Sequence, residues 1–133
     1  MPNESLEIVQ RAYAAFGRGD VAALLALMDE GIVWENPGDS DLAYFGTHYG
    51  PVAVAKNVFG FLGENLQFDV FEPREFFVNA SKVVVLLHIE AIVRRTGERV
   101  VQKAVHVFSL GGGKITAFHD FQDSYRLARA LKA

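Results

Sequence analysis

Residues 82–121, KVVVLLHIEAIVRRTGERVVQKAVHVFSLGGGKITAFHDF, decide the fold class. Three runs rich in Val, Ile, Leu and Phe, about 82–95, 99–110 and 114–125, are separated by Arg95-Thr96-Gly97-Glu98 and by Gly111-Gly112-Gly113. Apolar, β-branched runs broken by glycine-containing turns read as antiparallel strands joined by hairpins. A fourth strand is predicted just upstream, over about 66–79, closed by the turn Asn79-Ala80-Ser81.

Further upstream the apolar period changes to that of a helix. Leu6, Val9, Tyr13 and Phe16 form one stripe on a first helix, which Gly17 and Gly19 end. Asp20 is placed to cap a second helix over Val21–Met28, closed by Gly31. Ile32 to Asn36 reads as a short strand stopped by Pro37-Gly38. Residues 37–50, PGDSDLAYFGTHYG, are turn-rich but carry Tyr44, Phe45 and Tyr49, the composition of a packed loop or lid. His48 in this loop is a minor lid candidate. Pro51 opens a third helix over about 51–63, and a short helix is predicted over about 124–131. Helices first and a meander afterwards argue an α+β fold, with three N-terminal helices packed on one face of a curved, mainly antiparallel sheet. A curved sheet with helices against it forms a cone with an interior.

The 133 residues suit one domain spanning 1–133. Half the residues are apolar and 22% are charged, as in ordinary globular chains. Cysteine is absent, which excludes disulfides, thiolate zinc sites and a cysteine nucleophile. A net charge of −3 gives no basic surface for nucleic acid. The longest apolar run, Val21–Met28, is far too short for a membrane span. No basic and apolar leader opens the chain, so a cytoplasmic protein is expected. Charge is uneven: residues 1–69 carry ten acids and three bases, and 70–133 carry six acids and ten bases. The basic group Arg94, Arg95, Arg99 and Lys103 brackets a hairpin tip and reads first as a solvated strand end.

Strand side chains alternate faces, and this sorts the polar residues. On 82–95 both faces are apolar. One of them carries His88 and Glu90 among Val84, Leu86 and Ile92, and this face is expected to line the cone. The other, Val83 to Val93, is expected to need cover from a second copy of the chain. Gln102, Ala104, His106 and Phe108 share a face; so do Thr116, Phe118, Asp120 and Gln122; so do Trp34 and Asn36. His119 falls on an opposite face. One concave wall is thus expected to gather Trp34, Asn36, His88, Glu90, His106 and Asp120. Several ionisable groups in an apolar cavity mark a functional site. His88-x-Glu90 with a distant His106 also has the composition of a 2-His-1-carboxylate metal site, and a satisfied buried pair is the plainer alternative. Tyr13, Phe16, Phe59 and Phe118 are core or pocket wall.

The run VQRAYAAFGRGDVAALLALMDEGIVWENPG (9–38), the Gly-Pro helix start and the ending VHVFSLGGGKITAFHDFQD (105–123) resemble SnoaL-like polyketide cyclases and ketosteroid isomerase-like proteins of the NTF2-like superfamily. The resemblance covers about 5–126. It implies a cone-shaped α+β barrel, usually dimeric through the sheet. It also implies acid–base chemistry on an apolar small molecule in a conical pocket, as isomerase, cyclase, dehydratase or epoxide hydrolase, with no cofactor and no metal. A binding module using the same cone without catalysis is the competing reading. Position by position, the isomerase base falls on Asn36, its oxyanion aspartate on His106, and its oxyanion tyrosine near Ala12, one place from Tyr13. The epoxide hydrolase pattern falls on His88, Glu90, Asp120, Asn36 and Trp34. The dehydratase histidine pair falls on His88 and His106, and the cyclase acid–base residue on Asp120. Catalysis is therefore expected from Asp120, His88 and Glu90, and substrate contacts from Asn36, His106, Trp34, Tyr13, Phe16, Phe59 and Phe118.

Overall fold

The structure, a computed structural model, describes residues 4–38 and 41–133. Helix α1 (Glu4–Gly17) buries Ile8, Val9, Ala12 and Ala15. Helix α2 (Val21–Ala26) starts where expected, with the Asp20 carboxylate accepting from the Ala23 N–H at 3.0 Å. It ends sooner than its apolar run suggests. Strand β1 begins at Met28 and runs to Asn36, so Gly31 lies inside a strand instead of closing a helix. The β1 pairing is irregular between Met28 and Val33, and the Gly31 N–H bonds the Asp29 carboxylate there at 2.8 Å. That local irregularity is why 28–31 lacks a strand's alternation.

Within the expected 37–50 loop, residues 46–49 form a short strand, β2 (Gly46–Tyr49), paired antiparallel with β1. Positions 39 and 40 of that loop lie outside the described residues. Helix α3 (Gly50–Val54) has proline in its first turn, continues as a π-helical segment (Ala55–Gly60), and runs on into α4 (Phe61–Asn65). Strands β3 (Leu66–Asn79), β4 (Lys82–Val93), β5 (Arg99–Gly111) and β6 (Lys114–Phe121) follow the predicted meander, and α5 (Ser124–Lys132) ends the chain. At the β4–β5 tip Gly97 takes a φ of 77°, a backbone conformation that favours glycine.

The six strands lie in the order β2-β1-β6-β5-β4-β3. Every pairing is antiparallel except β1 with β6, which is parallel. The sheet is curved and not closed, and the helices pack on its concave face. Among the described residues, no helix is long and apolar enough to cross a membrane.

Candidate active site

Register determines which side chains meet inside. His106 on β5 stands opposite Asp120 on β6, and Trp34 on β1 stands beside Phe118 on β6. Asn36 shares the Trp34 face. Helix α1 adds Tyr13 and Phe16, and the π-helical segment adds Val58 and Phe59. Together they line a cavity of about 90 Å³, whose remaining wall is almost entirely apolar. A wider turn within a helix often falls at a functional site, and here it carries two lining residues.

The expectation for β4 is reversed. Val83, Val85, Leu87, Ile89, Ala91 and Val93 are the buried set, and Ile89 and Ala91 line the cavity. Val85 is paired with His106 and Ile89 with Gln102, so this face is the concave one. His88 and Glu90 stand on the outer face. There His88 Nε2 meets Glu90 at 2.8 Å, and Arg99 bridges Glu90 at 3.2 Å and Asp69 at 2.8 Å. The Arg99 guanidinium, with help from Gln67, holds the exposed Asp69 carboxyl below its ordinary pKa. Both faces of β4 are apolar, so alternation sorts its residues into two sets without telling which set is inside. His88 and His106 are consequently on opposite sides of the sheet and cannot ligate one ion. Among the described residues, no group of three or more His, Asp or Glu is arranged to hold a metal.

Asp120 is 5% exposed and stands at the centre of the polar groups. Its Oδ2 accepts a hydrogen bond from the Tyr44 hydroxyl at 3.1 Å and another from the Gln122 amide. Its Oδ1 faces His106 Nε2 at 3.3 Å and, though fully buried, accepts no well-aligned hydrogen bond. The far ring nitrogen, His106 Nδ1, is 2.7 Å from the Tyr13 hydroxyl. A carboxylate beside Nε2 favours the proton on that nitrogen, leaving Nδ1 to accept from Tyr13. Burial, reinforced by the Asp120 charge, pushes the Tyr13 and Tyr44 phenols well above their ordinary pKa, so both stay protonated donors. The result is a chain from Tyr13 through His106 to Asp120, ended by Tyr44 and Gln122.

Tyr44 is held at both ends. Its carbonyl accepts from the Asn36 amide at 3.0 Å and lies 2.9 Å from His48 Nε2, while its hydroxyl reaches Asp120. Asn36 therefore lines the cavity and also fastens the stretch around Tyr44; His48 is a fastener too. Trp34 packs against Phe118, with centroids 3.8 Å apart, and against Phe59 at 5.5 Å. Of the residues expected inside, Trp34, Asn36, His106, Asp120, Tyr13, Phe16, Phe59 and Phe118 all line the cavity. Sequence reasoning missed Tyr44 and Gln122 as partners of Asp120. The signal for Tyr44 was a buried-type aromatic inside a turn-rich loop; for Gln122 it was only shared alternation with Asp120.

The open curved sheet, its helical cover and the apolar cavity around one carboxylate define an NTF2-like protein. An NTF2-like protein from Burkholderia xenovorans LB400 is 30% identical to this chain, with 98% of each chain covered and a TM-score of 0.87. TerC, co-crystallized with polyporic acid, is 23% identical, with 98% of this chain and 99% of its own covered and a TM-score of 0.86. An LEH-like epoxide hydrolase from M. tuberculosis is 20% identical, with 98% of this chain and 91% of its own covered and a TM-score of 0.76. No curated protein matches the chain. The SnoaL-like domain family matches residues 9–118, and the chain belongs to that family.

Proposed function

We propose that this protein is an acid–base enzyme acting on a compact, apolar small molecule, with Asp120 as the base. One observation carries the reading: a buried carboxylate on an apolar cavity's wall has one oxygen held by two donors, while the other faces only His106 Nε2, at 3.3 Å and without a well-aligned hydrogen bond. Tyr44 and Gln122 hold Oδ2 and so orient the group. Oδ1 is the oxygen that takes a proton from a bound carbon acid or from a water. Once protonated, Oδ1 no longer needs the His106 N–H, which then becomes available to an oxygen of the same ligand. Tyr13 fixes the imidazole in the tautomer this requires. This chemistry fits isomerase, cyclase, dehydratase or epoxide-opening reactions, and TerC and the epoxide hydrolase named above share the fold that would house it. In this reading His88 and Glu90, on the outer face, do not touch the substrate.

The test needs no knowledge of the natural substrate. Compact cyclic ketones incubated with the protein in deuterated water should exchange the hydrogens next to the carbonyl, followed by proton NMR. Asp120→Asn should slow that exchange by about 10²- to 10⁴-fold, the usual contribution of a positioned base. If ketones bind and wild-type protein accelerates neither exchange nor the opening of small epoxides, the cone is a binding module instead. We also propose that two copies associate through the outer face of the sheet.

A further inference from the structure

A second buried polar atom, carried by a residue of the cavity wall, has no hydrogen-bond partner. Trp34 is 7% exposed, and its indole Nε1 is buried without a hydrogen-bond acceptor. The ring cannot swing to find one, because Phe118 and Phe59 pack against it at 3.8 and 5.5 Å. Neighbouring side chains offer little. None of the nearby side-chain oxygens accepts from the indole: the Asn36 and Gln102 amides are turned so that their nitrogens donate to the Tyr44 and Asp123 carbonyls, and Asp120 Oδ2 already has two donors. Buried donors in native proteins find partners, so an orphan of this kind at a cavity wall points to an acceptor brought by something else. The lining residues include no Lys or Arg, and their one carboxylate is Asp120. An anionic ligand would therefore enter a dry site beside a like charge and without a matching cation.

We infer that the Trp34 indole N–H and Asp120 Oδ1 form the two halves of a ligand-oxygen site, which takes a neutral, single-ring molecule bearing a carbonyl or epoxide oxygen. The indole donates to that oxygen and Oδ1 faces the proton to be removed or the water to be activated. Trp34 is then a specificity-determining residue, selecting oxygen-bearing rings over hydrocarbons and neutral ligands over acids. This rests on the proposed small-molecule role of the cavity, but assigns the oxygen contact to β1.

Trp34 is the single tryptophan of the chain, so its side-chain N–H gives one isolated signal in a nitrogen-15 correlation spectrum. The full chain is titrated with cyclohexanone, with methylenecyclohexane as the same shape without the oxygen, and with cyclohexanecarboxylate. The ketone should move the indole proton downfield and saturably. The hydrocarbon should bind at least about tenfold more weakly, the worth of one net hydrogen bond, and the acid more weakly still. Trp34→Phe should remove the ketone's tenfold advantage over the hydrocarbon, read as the ratio of the two affinities in the same variant. Equal binding of ketone and hydrocarbon, an indole signal unmoved by a bound ketone, or no binding of any probe overturns the inference. Deuterium exchange that depends on Asp120 while the indole stays unmoved would leave the acid–base reading standing and remove only this one.

Discussion

Tyr13 shows how one side chain ties stability to the site. It reaches His106 by a hydrogen bond and packs edge-on against Phe76 and Phe108, with centroids 6.1 and 5.7 Å away. Tyr44 is likewise buried with its hydroxyl on Asp120. The other two tyrosines, Tyr49 and Tyr125, are 71% and 73% exposed. A phenol whose proton is held more tightly in the folded chain stabilises it in full below about pH 10, where an unfolded tyrosine ionises. That contribution is lost as pH rises beyond 10 toward the folded value, because the unfolded chain then binds fewer protons. Urea-unfolding free energies should therefore fall between pH 10 and 12, each buried phenol adding a slope approaching about 1.4 kcal/mol per pH unit. In Tyr13→Phe with Tyr44→Phe, which removes both phenols, the fall should be shallower by about twice that amount. An unchanged slope would mean that these two phenols ionise as freely as solvated ones.

At the scale of elements, the strands from 66 to 121 were legible because short turn-forming stretches, two of them with glycine, separate them and because β-branched residues fill them. The 37–49 segment was less so. Its strand β2 is four residues long, and a strand that short carries no periodicity to read. Residues 41–49 of the segment are held by tertiary contacts, above all by the Tyr44 carbonyl bonded to Asn36 and lying against His48. Alternation grouped Trp34 with Asn36, His106 with Gln102 and Phe108, and Asp120 with Phe118 and Gln122, and the register of β1, β6 and β5 joins these groups into one wall. Alternation failed for His88 and Glu90, because the choice between two apolar faces of β4 is made by its partner β5. The Asn36 fastening can be tested directly. Asn36 is 1% exposed, and Asn36→Ala removes a donor while leaving the Tyr44 carbonyl its His48 contact. The acceptor is not orphaned, so the loss should be about 1 to 2 kcal/mol in urea unfolding, below the cost of stranding a buried group. Proteolysis within 41–45 should become faster in the variant. A loss under about 0.5 kcal/mol would show that the segment is held by its aromatic packing alone.

For the whole molecule, the outer face of the sheet remains to be covered. Cross-strand register lines up Phe77, Val84 and Val107 in one row and Leu86, Val105 and Phe121 in the next. Phe77, Val101 and Phe121 are 53%, 50% and 49% exposed, large apolar groups on a broad sheet surface. Contiguous apolar patches of this kind mark association sites more often than scattered exposed residues do. The His88, Glu90, Arg99 and Asp69 cluster lies on the same face and supplies a charged rim. A self-complementary contact of two such faces would bury the apolar rows and leave the charges at the edge, the layout of a two-fold interface. The sequence pointed to the same association by way of the wrong β4 residues: the Val83 to Val93 set is buried on the concave side, and Val84, Leu86 and Ile92 face out. Light scattering at low micromolar concentration should therefore show a species of two chains. Leu86→Glu and Val105→Glu each put an unpaired carboxylate at the centre of the contact, which costs about 2 to 5 kcal/mol per buried charge. With the charge present in both copies, either variant should run as a single chain with unchanged far-ultraviolet circular dichroism. A wild-type protein that is already a single chain, or variants that remain paired, would place the contact elsewhere or remove it.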